Sequence, residues 1–143
     1  MNDELLAREA DAYAAFEEAV AAVPAERRNE PTLPDGWSLS DVLWHVAYWW
    51  TDGERSFREI GAGTYVEEDW TAEQTDATNA RVLAESRSMS AADVEAGFAA
   101  ARTRLLEAFG PVAGDPAADE LFASETIEHY EEHFPAVRGL ASP

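Results

Sequence analysis

Ser38-Leu39-Ser40-Asp41-Val42-Leu43-Trp44-His45-Val46-Ala47-Tyr48-Trp49-Trp50 reads as the start of an amphipathic helix. Ser38 with Asp41 three residues on is a capping-box pattern, in which each side chain satisfies the other's free backbone amide. Val42, Leu43, Val46, Trp50, Phe57 and Ile60 then recur at helical spacing, and Gly61 and Gly63 mark the stop. Gly53 weakens the middle by about 1 kcal/mol relative to Ala, a deficit that tertiary packing must offset. Trp44, Trp49 and Trp50 cover more than one side of this helix, so it is buried on several faces or lines a pocket. Trp50 aligns with Leu43, Val46 and Phe57 and belongs to the core. Trp49, one turn after His45, is placed to flank a site.

Outward from this helix the same devices repeat. Leu6, Tyr13, Phe16, Val20 and Val23 draw one apolar stripe, predicting a helix over 3–23 that Pro24 ends. The Pro- and Gly-bearing stretch 24–37 reads as a loop. Thr71 with Gln74 and Ser90 with Asp93 are further capping pairs, ahead of a short helix over 72–86 and a longer one over 91–109. The longer helix carries Val94, Phe98, Ala101, Leu105 and Phe109, and Gly110-Pro111 terminates it. A last helix begins at 117 or 124 and runs to 138, with Gly139 as its cap and a kink at Pro135. The pattern predicts an all-α fold, an antiparallel four-helix bundle with one short extra helix, as a single domain over 1–143. Leu6, Phe16, Val46, Phe57, Phe98, Leu105 and Ile127 are the expected core.

Composition narrows the function classes. The net charge is −19, from 29 acidic residues against ten basic ones, all Arg. Such a field repels nucleic-acid phosphates and anionic membranes, so neither is an expected partner. No apolar run approaches a bilayer span, and the acidic start Met1-Asn2-Asp3-Glu4 does not resemble a signal peptide. A cytoplasmic protein is the expectation, and aromatic residues left at the surface would suit a homodimer. There is no cysteine, so the chain offers neither disulfides nor thiolate ligands.

Chemistry points to the three histidines. His129 and His133 sit four residues apart in Glu125-Thr126-Ile127-Glu128-His129-Tyr130-Glu131-Glu132-His133, so both project from one helix face. A third imidazole, His45, from a facing helix would complete a three-His site with an open position, the form that reactive metal centres take. Bland readings stand beside this one: a histidine on an apolar face is usually a satisfied core residue, and a pair on a Glu-rich helix is often a polar stripe. His45 shares its face with Asp41, Trp49 and Asp52, which suits a polar, acid-lined site with an aromatic wall. Glu125, one turn before His129, is placed to orient a ligating imidazole. Asp41 reads first as a helix cap, and neither carboxylate reads as a direct ligand. Tyr48 and Tyr130 offer hydroxyl groups that nothing in the sequence aims.

Gly36-Trp37-Ser38-Leu39-Ser40-Asp41-Val42-Leu43-Trp44-His45-Val46-Ala47-Tyr48-Trp49 resembles the second-helix signature of the DinB-like superfamily, and Thr126 to His133 resembles its closing His-x-x-x-His motif. Asp69-Trp70 and Asn79-Ala80-Arg81 are similar to a middle segment of some branches. The resemblance implies an up-down-down-up four-helix bundle with a divalent metal, nickel or zinc, on His45, His129 and His133. It also implies thiol-dependent S-transferases using mycothiol or bacillithiol, or detoxifying hydrolases, acting on small-molecule electrophiles. The expected function is therefore a metal-dependent thiol S-transferase, with a hydrolase and a non-catalytic metal- or ligand-binding module as alternatives.

Overall fold

The computed structural model describes residues 3–140, and among them the regular structure is entirely helical. Helix α1 spans Asp3–Ala21, α2 Leu39–Ala62, α3 Ala72–Ser86, α4 Ala91–Phe109, α5 Pro116–Ala123 and α6 His129–Leu140. Short 3-10 turns occupy Ala25–Arg27 and Gly110–Val112, and a wide π turn, Ser124–Glu128, joins α5 to α6 without a break. No described helix is long and apolar enough to cross a membrane.

The caps act as their residue types require. The Ser38 amide donates to Asp41 Oδ2 at 2.9 Å, while the Asp41 amide donates to Ser38 Oγ at 3.1 Å. Thr71 and Gln74 form the same reciprocal pair ahead of α3, and Ser90 Oγ accepts from the Asp93 amide ahead of α4. Gly63 ends α2 with φ of +73°, a left-handed conformation open to glycine at little steric cost.

The core forms where α2 and α4 pack against α1 and the last helix. Trp50, Phe57, Phe98, Phe109 and Phe122 are buried in it, with Phe109 and Phe122 stacked at 4.0 Å. Gly97 on α4 allows the closest approach, because a Cβ there would meet Trp44 at 2.6 Å. Of the expected core residues, Phe16, Val46, Phe57, Phe98, Leu105 and Ile127 are buried. Leu6 is not: it is half-buried and its neighbour Leu5 takes the inner position, on a face that also buries Glu9.

The C-terminal segment differs from expectation in three ways. The two candidate starts at 117 and 124 are one helix beginning at Pro116, capped by Asp115, that changes register at Ser124. The chain remains helical through Pro135, while the irregular turn lies before the histidines. Gly139 does not cap the helix, which continues to Leu140, the last described residue.

Candidate metal centre

The π turn decides where the histidines face. It holds one residue more per turn than an α-helix, which rotates everything beyond it by roughly 100° relative to a regular continuation. Two side chains bond carbonyls in this stretch: Trp50 Nε1 donates to the Glu125 carbonyl at 2.9 Å, and Thr126 Oγ1 to the Phe122 carbonyl at 2.6 Å. The indole of Trp50 is fully buried, so the core side of α2 fastens the turn from which α6 starts.

His129, the first residue of α6, is thereby aimed at His45 on α2, with their Nε2 atoms 3.1 Å apart. The His133 ring lies 5.1 Å from that of His45 and 4.9 Å from that of His129, centre to centre. One ring nitrogen from each histidine falls within 4.8 Å of the others. His129 is buried, and His45 and His133 are partly buried. The structure thus brings together all three histidines singled out from the sequence.

The electrostatics favour uncharged rings. Burial, reinforced by His133, lowers the His45 pKa to about 4. Burial, then His133 and His45, lowers that of His129 to about 3, against the opposing Glu125 carbonyl. His133 is also lowered by burial, with Glu132 and Asp35 pulling the other way. At neutral pH all three rings are therefore neutral and carry the lone pairs a cation requires. His45 Nδ1 and His133 Nε2 are buried without a hydrogen-bond partner. Two nitrogens bound to one tetrahedral zinc-sized ion lie about 3.3 Å apart, close to the observed His45–His129 separation. The donor set fits a divalent transition metal: three neutral imidazoles, no thiolate and no ligating carboxylate in the group.

The cluster opens on a cavity of about 300 Å³ whose walls include His45, Trp49, Asn79, Glu125 and His129. Trp49 stands where its spacing from His45 suggested. Its Nε1 donates to Asn79 Oδ1 at 3.0 Å, and its ring meets Trp70 edge-on at 5.3 Å. Trp37 packs edge-on against His45 at 5.4 Å. Asn79 is marked in the sequence only by the resemblance of Asn79-Ala80-Arg81 to a middle segment, and its place beside the histidines depends on how α3 docks on α2. The Glu125 carboxyl lines the cavity, and burial, reinforced by Asp52, raises its pKa to about 8. It is the Glu125 carbonyl, and not the carboxylate, that bears on the His129 ring.

Other candidates lie elsewhere. Asp41 caps α2, accepts from Ser86 Oγ and faces Arg87, as its cap reading requires. Tyr130 Oη donates to buried Glu9, and Tyr48 Oη accepts from Arg81. Neither hydroxyl belongs to the histidine cluster.

The model of the DinB superfamily matches residues 10–134, a stretch that contains all three histidines. The chain belongs to the DinB superfamily. No curated protein and no solved structure matches it. Family membership and the clustered imidazoles are together compatible with metal binding.

Proposed function

We propose that this DinB-superfamily protein holds a divalent metal, nickel or zinc, on His45, His129 and His133, and uses it to transfer a small-molecule thiol, such as mycothiol or bacillithiol, onto a small electrophile. The observation that carries this reading is the set of three neutral ring nitrogens within 4.8 Å of one another, opening on a cavity. A dication at such a site lowers the pKa of a coordinated thiol or water towards neutrality. The chain has no cysteine, so a thiol nucleophile has to come from a second molecule. Trp49 and Asn79 shape the wall against which the electrophile lies, and the hydrophobic packing beneath α2 and α6 keeps the histidine geometry fixed.

A second reading, metal-dependent hydrolysis, draws on Glu125. A buried carboxyl with a pKa near 8 is matched to exchanging a proton with water near neutral pH. The test is a conjugation assay with a model electrophile at fixed zinc or nickel, with and without mycothiol or bacillithiol. Turnover that needs thiol and disappears in His129→Ala supports transfer. Metal-dependent turnover without thiol moves the assignment to hydrolysis. Tight binding of the electrophile without turnover makes the protein a binding module.

A further inference from the structure

Asn79 on α3 and Trp49 on α2 meet at the wall of the cavity beside the histidines. Trp49 Nε1 reaches Asn79 Oδ1 at 3.0 Å. An indole N–H only donates, so its partner has to be the oxygen of the amide, and that bond fixes which way the amide points. Burial and His133 lower the His45 pKa, and the Asn79 side chain works against them, which is the effect of an acceptor. The oxygen is thus taken up by two neighbouring rings, and the N–H bonds of Nδ2 are left over. Among the described residues no acceptor faces Nδ2, and Asn79 is only partly buried, so these donors are open to whatever occupies the cavity. Thr75 and Ser124 add hydroxyl groups to the same wall. A hydroxyl adapts by rotation, but an amide held by its oxygen presents donors alone. No Arg lines the cavity, so an anionic substrate finds no guanidinium counter-charge there.

We infer that Asn79 Nδ2 receives the acceptor oxygen of the substrate, and that the cavity takes neutral electrophiles activated by a carbonyl, such as α,β-unsaturated ketones and imides. The inference rests on reading the cavity as the substrate side of the three-His centre in a thiol transferase. The balance of that reaction suits the placement. As the thiol sulfur bonds the β-carbon, the carbon–carbon π pair shifts towards the carbonyl and negative charge develops on its oxygen. The α-carbon then takes the proton that the thiol gave up, so the product is a thioether and no other reactant is consumed. A donor fixed in place beforehand is worth most where charge develops, because it does not have to reorganise during the reaction. Trp49 offers a flat apolar surface for the conjugated system beside that donor. Its contacts with Asn79, Tyr48 and Trp70 hold the indole in place before a ligand arrives.

The test uses a carbonyl ligand that does not react with thiols. Acetophenone and its isostere α-methylstyrene, in which a CH2 group replaces the oxygen, are titrated separately into the zinc-loaded protein. NMR follows the Asn79 side-chain amide and the Trp49 indole N–H. Acetophenone is expected to move an Asn79 amide proton downfield, and the isostere is not. Asn79→Asp keeps an oxygen for Trp49 Nε1 and removes the donor. In this variant acetophenone affinity is expected to fall at least about fivefold, while that of the isostere changes less than about twofold. An amide resonance that acetophenone leaves in place, or that both ligands move equally, overturns the inference. So does an equal loss of affinity for both ligands in Asn79→Asp. The wild-type shift needs no variant, so it decides the matter if Asn79→Asp fails to fold. The thiol-dependent conjugation assay reads the proposed function separately. Turnover that needs thiol, together with no acetophenone preference, removes this inference alone. Acetophenone bound at Asn79 without any thiol-dependent turnover removes the transferase reading and keeps Asn79 as the donor to neutral carbonyl ligands.

Discussion

His129 and Tyr130 are neighbours in sequence and enter two different buried polar clusters. Tyr130 Oη donates to Glu9 Oε1 at 2.9 Å, and Glu9 takes a two-point contact from Arg102, at 3.1 and 2.8 Å. The Arg102 guanidinium in turn lies 3.8 Å over the Tyr13 ring. This cluster ties α1, α4 and α6 together, and its donors and acceptors match. The histidine cluster ties α2 to α6 and leaves His45 Nδ1 and His133 Nε2 without partners. Buried polar groups that satisfy one another serve the fold, whereas a histidine cluster in which two ring nitrogens have no partner keeps bonding capacity for something from outside. Glu17 Oε2 and Trp44 Nε1 are also unpartnered, but they stand singly and do not converge with other donors.

The contrast breaks most visibly at Glu9. Glu9→Leu leaves the Arg102 guanidinium and the Tyr130 hydroxyl without their acceptor in a buried setting, and a loss of about 3–5 kcal/mol is expected. Urea denaturation reads it, and zinc affinity measured on the protein that remains folded should be nearly unchanged. A Glu9→Leu protein as stable as wild type would contradict the structural role of this cluster.

His129→Ala is expected to give the reverse pattern. Zinc affinity should fall by at least about 100-fold, equivalent to about 2.7 kcal/mol. The metal-free variant should lose less stability than Glu9→Leu does. Calorimetric titration and thermal denaturation of the same samples separate the two effects, and equal zinc affinity in both proteins would remove His129 from the site.

Gly97→Ala tests the packing beneath the histidine helix. The added methyl meets Trp44, the residue before His45, at 2.6 Å, and overpacking of this kind costs about 1–3 kcal/mol. A lowered melting temperature is expected, with a smaller loss of zinc affinity than in His129→Ala. An unchanged melting temperature would mean that α2 and α4 yield at this point.

The smallest expected effect is in pH. The folded pKa values of the three histidines lie below that of a free imidazole, about 4 for His45 and about 3 for His129. Between these values and about 6.5 the unfolded chain binds more protons, so this contribution to stability is complete above about pH 6.5 and is lost as pH falls. Glu125, raised to about 8, acts in the opposite sense: its contribution is present below its ordinary range and is lost as pH rises through 8. Metal-free Glu125→Gln should therefore lose less stability than wild type between pH 6 and 8.5, by denaturation at each pH. Zinc affinity should fall less from pH 7.5 to 5.5 than three free imidazoles would make it fall, because His45 and His129 are already neutral there and protons do not compete for them.

Much of this arrangement is legible in local sequence because it rests on local forces. Capping at Ser38, Thr71 and Ser90 and the apolar stripes of α2 and α4 need only neighbouring residues, and so does the shared face of His129 and His133. Those features fix the all-helical class and nominate the three histidines. The tertiary structure decided three other matters. Glu9 faces inwards only because Arg102 and Tyr130, from two other helices, meet it there, which displaces Leu6 from the core face. Asn79 reaches the cavity only through the docking of α3 on α2. The π turn at Ser124–Glu128 has no periodic signature, since an inserted residue merely shifts the phase of a helix, and the Glu125 carbonyl in it accepts a bond from Trp50, 75 positions earlier. Sequence spacing places two imidazoles on one face, but only long-range packing determines that the face is turned towards His45.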